Sequence, residues 1–244
     1  MMRLSAFVYG LGTYAVFFLT FLYAVGFVTN LVVGKSIDSG APGPLAGSLL
    51  ADAVLLLVFA IPHSVMARPA FKREWTRIVP PAIERSTYVL IASLLLILVF
   101  RQWRPIPADA WSLEAPVLRA ILQACGWIGW GTVLVSTFLI DHFDLFGLRQ
   151  VWLNLQGRPI TPASFRTPAL YRYCRHPIML GFIVAFWATP DMSVGHLVFA
   201  VATTGYILVA VQLEERDLAR LHGAQYEEYR RKTSMILPLP PRAA

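Results

Sequence analysis

Long apolar runs separated by short charged segments set the plan of this chain. Residues 7–33 are almost continuously apolar and dense in aromatics: Tyr9, Tyr14, Phe17, Phe18, Phe21, Tyr23 and Phe27. That run suits a bilayer span, is too long for a signal-peptide core and lacks an A-x-A cleavage site, so it predicts a first membrane helix. Residues 49–65, 88–100 and 117–140 predict three more. Pro62-His63-Ser64 interrupts the end of the second, where the histidine and serine either line a cavity or satisfy carbonyls freed by the proline. Residues 35–47 read as a Gly/Pro/Ser loop and 105–116 as another, with Arg101-Gln102-Trp103-Arg104 as an interfacial belt between the third span and that second loop. Gly126, Gly129 and Gly131 would let the fourth span pack closely on a neighbour.

The C-terminal part has a different rhythm. Residues 177–188 make a short apolar arm, Thr189-Pro190-Asp191 turns it, and residues 194–213 return. A dozen helical residues rise only ~18 Å against a hydrocarbon core of ~30 Å, so the hairpin penetrates partway or tilts among its neighbours. The tail is charged from Glu214, and residues 223–232 predict a surface helix that stops before the Pro-rich 237–241. The pattern therefore predicts an all-α, polytopic membrane helical bundle of five to six membrane helices. It divides into a four-helix region at 1–140 and a region of polar loop, hairpin and tail at 141–244.

Composition sharpens this. The chain of 244 residues is 57% hydrophobic and 14% charged, well below the ~25% of soluble domains. Its net charge of +7 is spread over segment ends, with no like-charge block suited to nucleic acid, so the partner is the lipid bilayer. Lysines and arginines favour a cytoplasmic place for 68–85, 141–175 and the tail, and Arg3 agrees; Arg101, Arg104 and Arg119 are the exceptions. Cys125 reads as apolar filler and Cys174, next to Arg175, as structural or as a thiol of lowered pKa; their spacing suggests no metal.

Candidate chemistry gathers at Arg175-His176-Pro177-Ile178-Met179-Leu180-Gly181. Proline suits a first helical turn, so a helix starts here with His176 at its N-cap. A helix N-terminus beside an arginine can receive a carboxylate or phosphate, and Gly181, one turn on, would let a ligand approach the backbone. The same residues can instead anchor a helix at the headgroups. The hairpin returns Glu214-Glu215 towards this start, with an overshoot of roughly 10 Å at helical rise that would offset the two charged ends. A solvated helix end is the plainer reading of that acidic pair. Asp141-His142-Phe143-Asp144 follows the fourth span directly, where two acids and a histidine are costly unless solvated or used.

Arg175-His176-Pro177 with Gly181, the turn at Pro190, Glu214-Glu215 and then Gly223 to Arg230 resemble, in order and spacing, the isoprenylcysteine carboxyl methyltransferase superfamily of membrane proteins. That superfamily includes relatives of the NnrU type. The resemblance extends through His63-Ser64-Val65-Met66-Ala67-Arg68-Pro69, Glu84-Arg85-Ser86-Thr87-Tyr88 and the segment from His142 to Trp152, which look like the bacterial methanethiol S-methyltransferase family. The likeness implies S-adenosyl-L-methionine as cofactor, methanethiol or another small thiol as substrate, dimethyl sulfide as product, and a multi-pass protein of the bacterial inner membrane with its site facing the cytoplasm. It implies that Arg175, His176, Pro177 and Gly181 form one side of the cofactor site, and Glu214 and Glu215 the other. Tyr226 and Tyr229 would close the site, and Tyr171 would contribute. Met179 stands where many members carry an aromatic, so the likeness gives no stacking role there. Direct methyl displacement needs no metal but gains from a base for the thiol. The candidates are His142 oriented by Asp141 or Asp144, then His63, then Tyr88, with water as the alternative. A prenylcysteine carboxylate or lipid as methyl acceptor, or a non-catalytic protein of the NnrU type, stay open at this point.

Overall fold

The computed structural model describes residues 2–161 and 165–241. Among these, ten α-helices and two short strands follow in the order α1 (Met2–Thr29), α2 (Leu45–Ala67), α3 (Pro69–Trp75), α4 (Pro81–Gln102), β1 (Asp109–Ser112), α5 (Pro116–Ile140), α6 (His142–Leu145), α7 (Leu148–Leu155), α8 (Pro177–Trp187), β2 (Asp191–Ser193), α9 (Val194–His222) and α10 (Ala224–Lys232). A 3-10 turn at Ala169–Arg172 precedes α8. Helices α1, α2, α4, α5 and α9 are long and apolar enough to cross a membrane, whereas α8 has 11 residues, ~16 Å at helical rise. This is an all-α, multi-pass membrane protein.

Several boundaries depart from the hydrophobic pattern for local reasons. Helix α1 ends at Thr29, short of the apolar run, because Asn30 and Val32 take positive φ (59° and 56°) and Leu31 N–H turns back to Gly26 O at 3.0 Å. A Cβ at Gly26 would lie 2.4 Å from Val33 Cγ1, so only glycine leaves room for this reversal. Pro62 does not interrupt α2, which continues to Ala67. Helix α4 starts at Pro81, before the apolar run, since proline suits the first turn and Glu84 there complements the helix dipole.

The described chain forms two compact units that interleave along the sequence: residues 2–106 with 141–161, and 107–140 with 165–241. In the first, α1 packs on α4 and α7, and α2 packs on α4. Gly10 gives α1 its close approach to α7, since a Cβ there would lie 2.6 Å from Val151. One aromatic group joins Phe27, Phe100 and the fully buried Trp103. A second surrounds Met66, Tyr88 and Val89 with Phe17, Phe71 and Phe146.

In the second unit α8 lies antiparallel on α5. A Cβ at Gly129 would meet Gly181 O at 2.8 Å, and one at Gly126 would meet Ala188 O at 2.8 Å. Small residues on both helices are what allow their backbones to approach. Gly131 takes no part, for open space surrounds it. The turn after α8 is an antiparallel ladder that the apolar pattern did not announce: β1 pairs β2 through Asp109↔Ser193, Trp111↔Met192 and Ser112↔Asp191. Asp191 also receives Arg119 in a bidentate ion pair at 2.8 and 2.6 Å. Ser193 then caps α9 by accepting the His196 N–H at 3.0 Å.

Candidate functional site

Pro177 opens α8 with His176 at its N-cap, as the sequence predicts. The chain just before it is held by a segment from after α10. Arg175 N–H donates to Ser234 O at 2.9 Å, His176 N–H to Met235 O at 3.1 Å, and Cys174 Sγ–H to Ile236 O at 2.8 Å. Burial pushes the Cys174 thiol up, so it stays protonated, in contrast to the lowered value its basic neighbour suggested.

The arginine side chain is almost wholly enclosed. Arg175 Nε donates to Glu215 Oε1 at 2.6 Å, and its guanidinium also meets the carbonyls of Arg230, at 3.1 Å, and Thr233. His176 Nε2 lies 3.1 Å from the same Glu215 oxygen, and its Nδ1 lies 3.7 Å from Glu214 Oε2. The proline-led start and the acidic pair are therefore in direct contact, without the offset expected from the longer return arm. Helix α9 does not end at Leu213 but runs on to His222 and carries both glutamates on helix.

The two glutamates differ because successive helical positions point about 100° apart. Glu215 is 8% exposed at its side chain and is consumed by Arg175 and His176. Glu214 is 45% exposed and keeps a carboxylate that a ligand can reach. Gly181 is likewise committed: a Cβ there would lie 2.8 Å from Gly129 O and from Val133, so the body that approaches its bare face is helix α5. Pro177 is buried beside it.

Three tyrosines complete this cluster. Tyr171 Oη donates to Ser136 O at 3.3 Å, and Tyr229 Oη donates to Tyr171 O at 2.5 Å. Tyr226 is buried with its ring against Phe165 and Tyr229, and its hydroxyl meets no partner among the described residues. Burial raises the pKa of all three, so each hydroxyl is a proton donor. An unsatisfied buried hydroxyl is costly, and a ligand oxygen or nitrogen near Glu214 would satisfy it. A carboxylate and a phenol suit ribose hydroxyls or an ammonium, so the cluster fits an adenosyl-amino-acid cofactor. Among the described residues, no group of His, Cys, Asp and Glu could hold a metal.

The first unit holds the other polar candidates. Tyr88 Oη lies 3.1 Å from the His63 ring nitrogens, with Arg85 Cζ 5.3 Å from the Tyr88 ring centre. His142 is buried, and burial lowers its pKa, so its imidazole is neutral at physiological pH. At its Nε2 the neighbour is Tyr14 Oη, 2.8 Å away, and not a carboxylate. Asp141 instead caps α6 by accepting the Asp144 N–H, and Asp144 Oδ1 accepts from Arg149 and Gln150. The sequence argument passed over Tyr14, which lies 128 residues from its partner among many other aromatics. The available signal was a lone hydroxyl one turn from Phe17 and Phe18 in an otherwise apolar face.

No family model matches the chain, and no solved structure does. It is 55% identical over 242 residues to the methanethiol S-methyltransferase of Mycobacterium tuberculosis, covering 99% of each. It is 53% identical over 236 residues to methanethiol S-methyltransferase 2 of Bradyrhizobium diazoefficiens, covering 97% of this chain and 91% of that one. Nurim of Bos taurus is more distant, at 30% identity over 237 residues, with 86% and 88% covered.

Proposed function

Since the chain belongs to the methanethiol S-methyltransferase family, we propose that it transfers a methyl group from S-adenosylmethionine to methanethiol, giving dimethyl sulfide. The observation that carries this reading is the near full-length identity, 52–55% over 97–99% of the chain, to proteins of that name. The buried Arg175–Glu215–His176 cluster, with Glu214 open beside it, supports the choice of donor.

In the second unit, Glu214 accepts hydrogen bonds from the donor's ribose hydroxyls or its ammonium, and Tyr226 Oη donates to it. Arg175 and Glu215 do not touch the donor. They hold the start of α8, the glutamate pair and the segment after α10 in one arrangement. His176 bridges the two glutamates, while Pro177 and Gly181 seat the helix start against α5. Tyr171 and Tyr229 lock the wall that carries Tyr226. When bound, the donor supplies a methyl group on a sulfonium, open to direct displacement by a thiolate without a metal. Holding reactants aligned can account for ~7–11 kcal/mol of a barrier.

In the first unit His142 is the base for the thiol. Its buried neutral imidazole accepts the S–H proton and leaves the electron pair on sulfur. Asp144 fixes α6 through Arg149 and Gln150. The His63–Tyr88 pair is the second candidate for the proton. The aromatic walls of this unit suit an apolar thiol that partitions into the bilayer. One methylene changes selection by only ~1–3 kcal/mol, so ethanethiol is expected to react as well. The lysine and arginine distribution supports placement in the bacterial cytoplasmic membrane with the donor cluster on the cytoplasmic side.

The decisive experiment is headspace gas chromatography of cells that express the chain and are given methanethiol. More dimethyl sulfide than in vector controls, with label carried over from methyl-labelled donor, is the expected result. Equal amounts in both, or label appearing in a lipid or protein instead, would overturn the proposal.

A further inference from the structure

We propose that the open groove along the first half of α2 binds an anionic phospholipid, with the lipid phosphate on Arg104 and an acyl chain laid along the helix. The groove has a volume of about 500 Å³ and is walled by Leu50, Ala51, Val54 and Leu55 of α2, with Gln102 and Arg104 across from them. Arg104 lies at the Gly47 end, where a Cβ added to that glycine would sit 3.9 Å from its Nη1. From Gly47 to Leu55 the helix rises ~12 Å, so the apolar wall runs away from the guanidinium along α2. Leu50 is 68% exposed and Val54 49%, and α2 is the least buried of the five long helices. None of these residues takes part in the reaction described above.

The chain at Arg104 is fixed from within. Asp52 is wholly buried, and its Oδ1 accepts the Arg104 N–H at 2.9 Å. Trp103, also fully buried, meets Phe27 edge to face with ring centres 6.3 Å apart. The Arg104 guanidinium is exposed, and among the described residues no hydrogen bond or ion pair takes it up. Asp52 presents no surface, so the groove carries a cation and no acid. Nearby, Lys35 donates to Arg101 O at 2.9 Å and Asp38 accepts from Asn30 at 2.8 Å. Arg104 is also one of the three basic residues that break the charge asymmetry of the loops, an exception that a lipid phosphate explains. A planar guanidinium offers paired N–H donors that match two phosphate oxygens, and the Gln102 amide can add a third. A zwitterionic headgroup would bring an ammonium that meets no carboxylate here, so a headgroup of net negative charge is preferred.

The test is native mass spectrometry of the full chain in detergent, titrated with dioleoylphosphatidylglycerol or dioleoylphosphatidylcholine. Wild type should retain one phosphatidylglycerol with about tenfold preference over phosphatidylcholine. Arg104→Gln should abolish that preference, while Arg101→Gln, which removes the same charge from an exposed neighbour, should keep it. Val54→Trp fills the groove from a half-exposed position and should weaken retention of phosphatidylglycerol about tenfold with Arg104 intact. An excess of sn-glycerol 3-phosphate, which has the phosphate but no acyl chain, should not displace the lipid. Equal retention of the two lipids by wild type, or equal losses in Arg101→Gln and Arg104→Gln, would overturn the proposal, since either means unspecific charge attraction. Retention unchanged in Val54→Trp, or displacement by sn-glycerol 3-phosphate, would overturn it too, since the apolar wall would then play no part.

Discussion

The two units solve the problem of polar groups in an apolar protein in opposite ways. Around the start of α8 the groups are ions: Arg175 and Glu215 are each 8% exposed at the side chain and pair at 2.6 Å. Around α6 the partners are neutral, a phenol and an imidazole 2.8 Å apart behind stacked phenylalanines. Buried ions tolerate no loss of a partner, because the remaining charge stays in a medium that cannot solvate it. Neutral pairs can lose one member for the cost of a hydrogen bond. The ionic cluster is therefore the less forgiving of the two, and the neutral pair the more tolerant of substitution.

Five changes sharpen or break this contrast. Arg175→Ala should have the largest effect, ~3–5 kcal/mol, since it strands Glu215; thermal unfolding in detergent and loss of folded yield would report it. His142→Ala should lower kcat/KM about 10²-fold at neutral pH, with some loss of Tm from the cavity it leaves. Its pKa is held below the usual histidine value by burial, so wild-type activity should persist on the acid side of pH 6.5 and fall as the imidazole protonates. The variant should trail most above the range where His142 protonates and below that where the thiol ionises, and converge with wild type at high pH. Gly181→Ala should cost ~1–3 kcal/mol through overpacking against Gly129 and Val133, seen as a lowered Tm. Glu214→Gln should weaken donor binding about tenfold, ~1.4 kcal/mol, without changing Tm, measurable by calorimetry. The smallest change is expected at the exposed Arg119–Asp191 pair, where Asp191→Asn should leave Tm almost unchanged. Its hydrogen bonds to Arg119 and Ser112 hold the Asp191 carboxyl below the usual range, so the pair's small contribution is present above pH ~4 and fades as pH falls through the folded value.

The spans were legible because a bilayer asks for length and apolarity, and α5 begins within a residue of the apolar run that announced it. Where backbone conformation decides, the pattern was silent. Asn30 is a residue type that favours positive φ at a helix end, but nothing marks the positive φ of Val32, and the four-residue strand at Asp109–Ser112 is too short to read as an alternation. Pro81 did signal the true start of α4, but a count of apolar residues passes over it. In the candidate site, the ordering of Arg175 and Glu214-Glu215 around a hairpin was enough to bring them together. It could not say that Arg175 would be consumed by Glu215 and two main-chain carbonyls, because those carbonyls belong to a segment whose side chains play no part in the contact. Nor could spacing reveal Tyr14, since its pairing with His142 depends on how α1 packs.

The clasp on Arg175 also imposes a timetable. Its main-chain acceptor at Thr233 lies 58 positions downstream. At ~5–20 residues per second, translation needs about 3–12 s to supply it after the arginine is made. Glu215, its ion partner, is made earlier, 40 positions downstream, so the clasp can close only in two stages. Slowing the ribosome between these two points should therefore prolong a protease-sensitive intermediate.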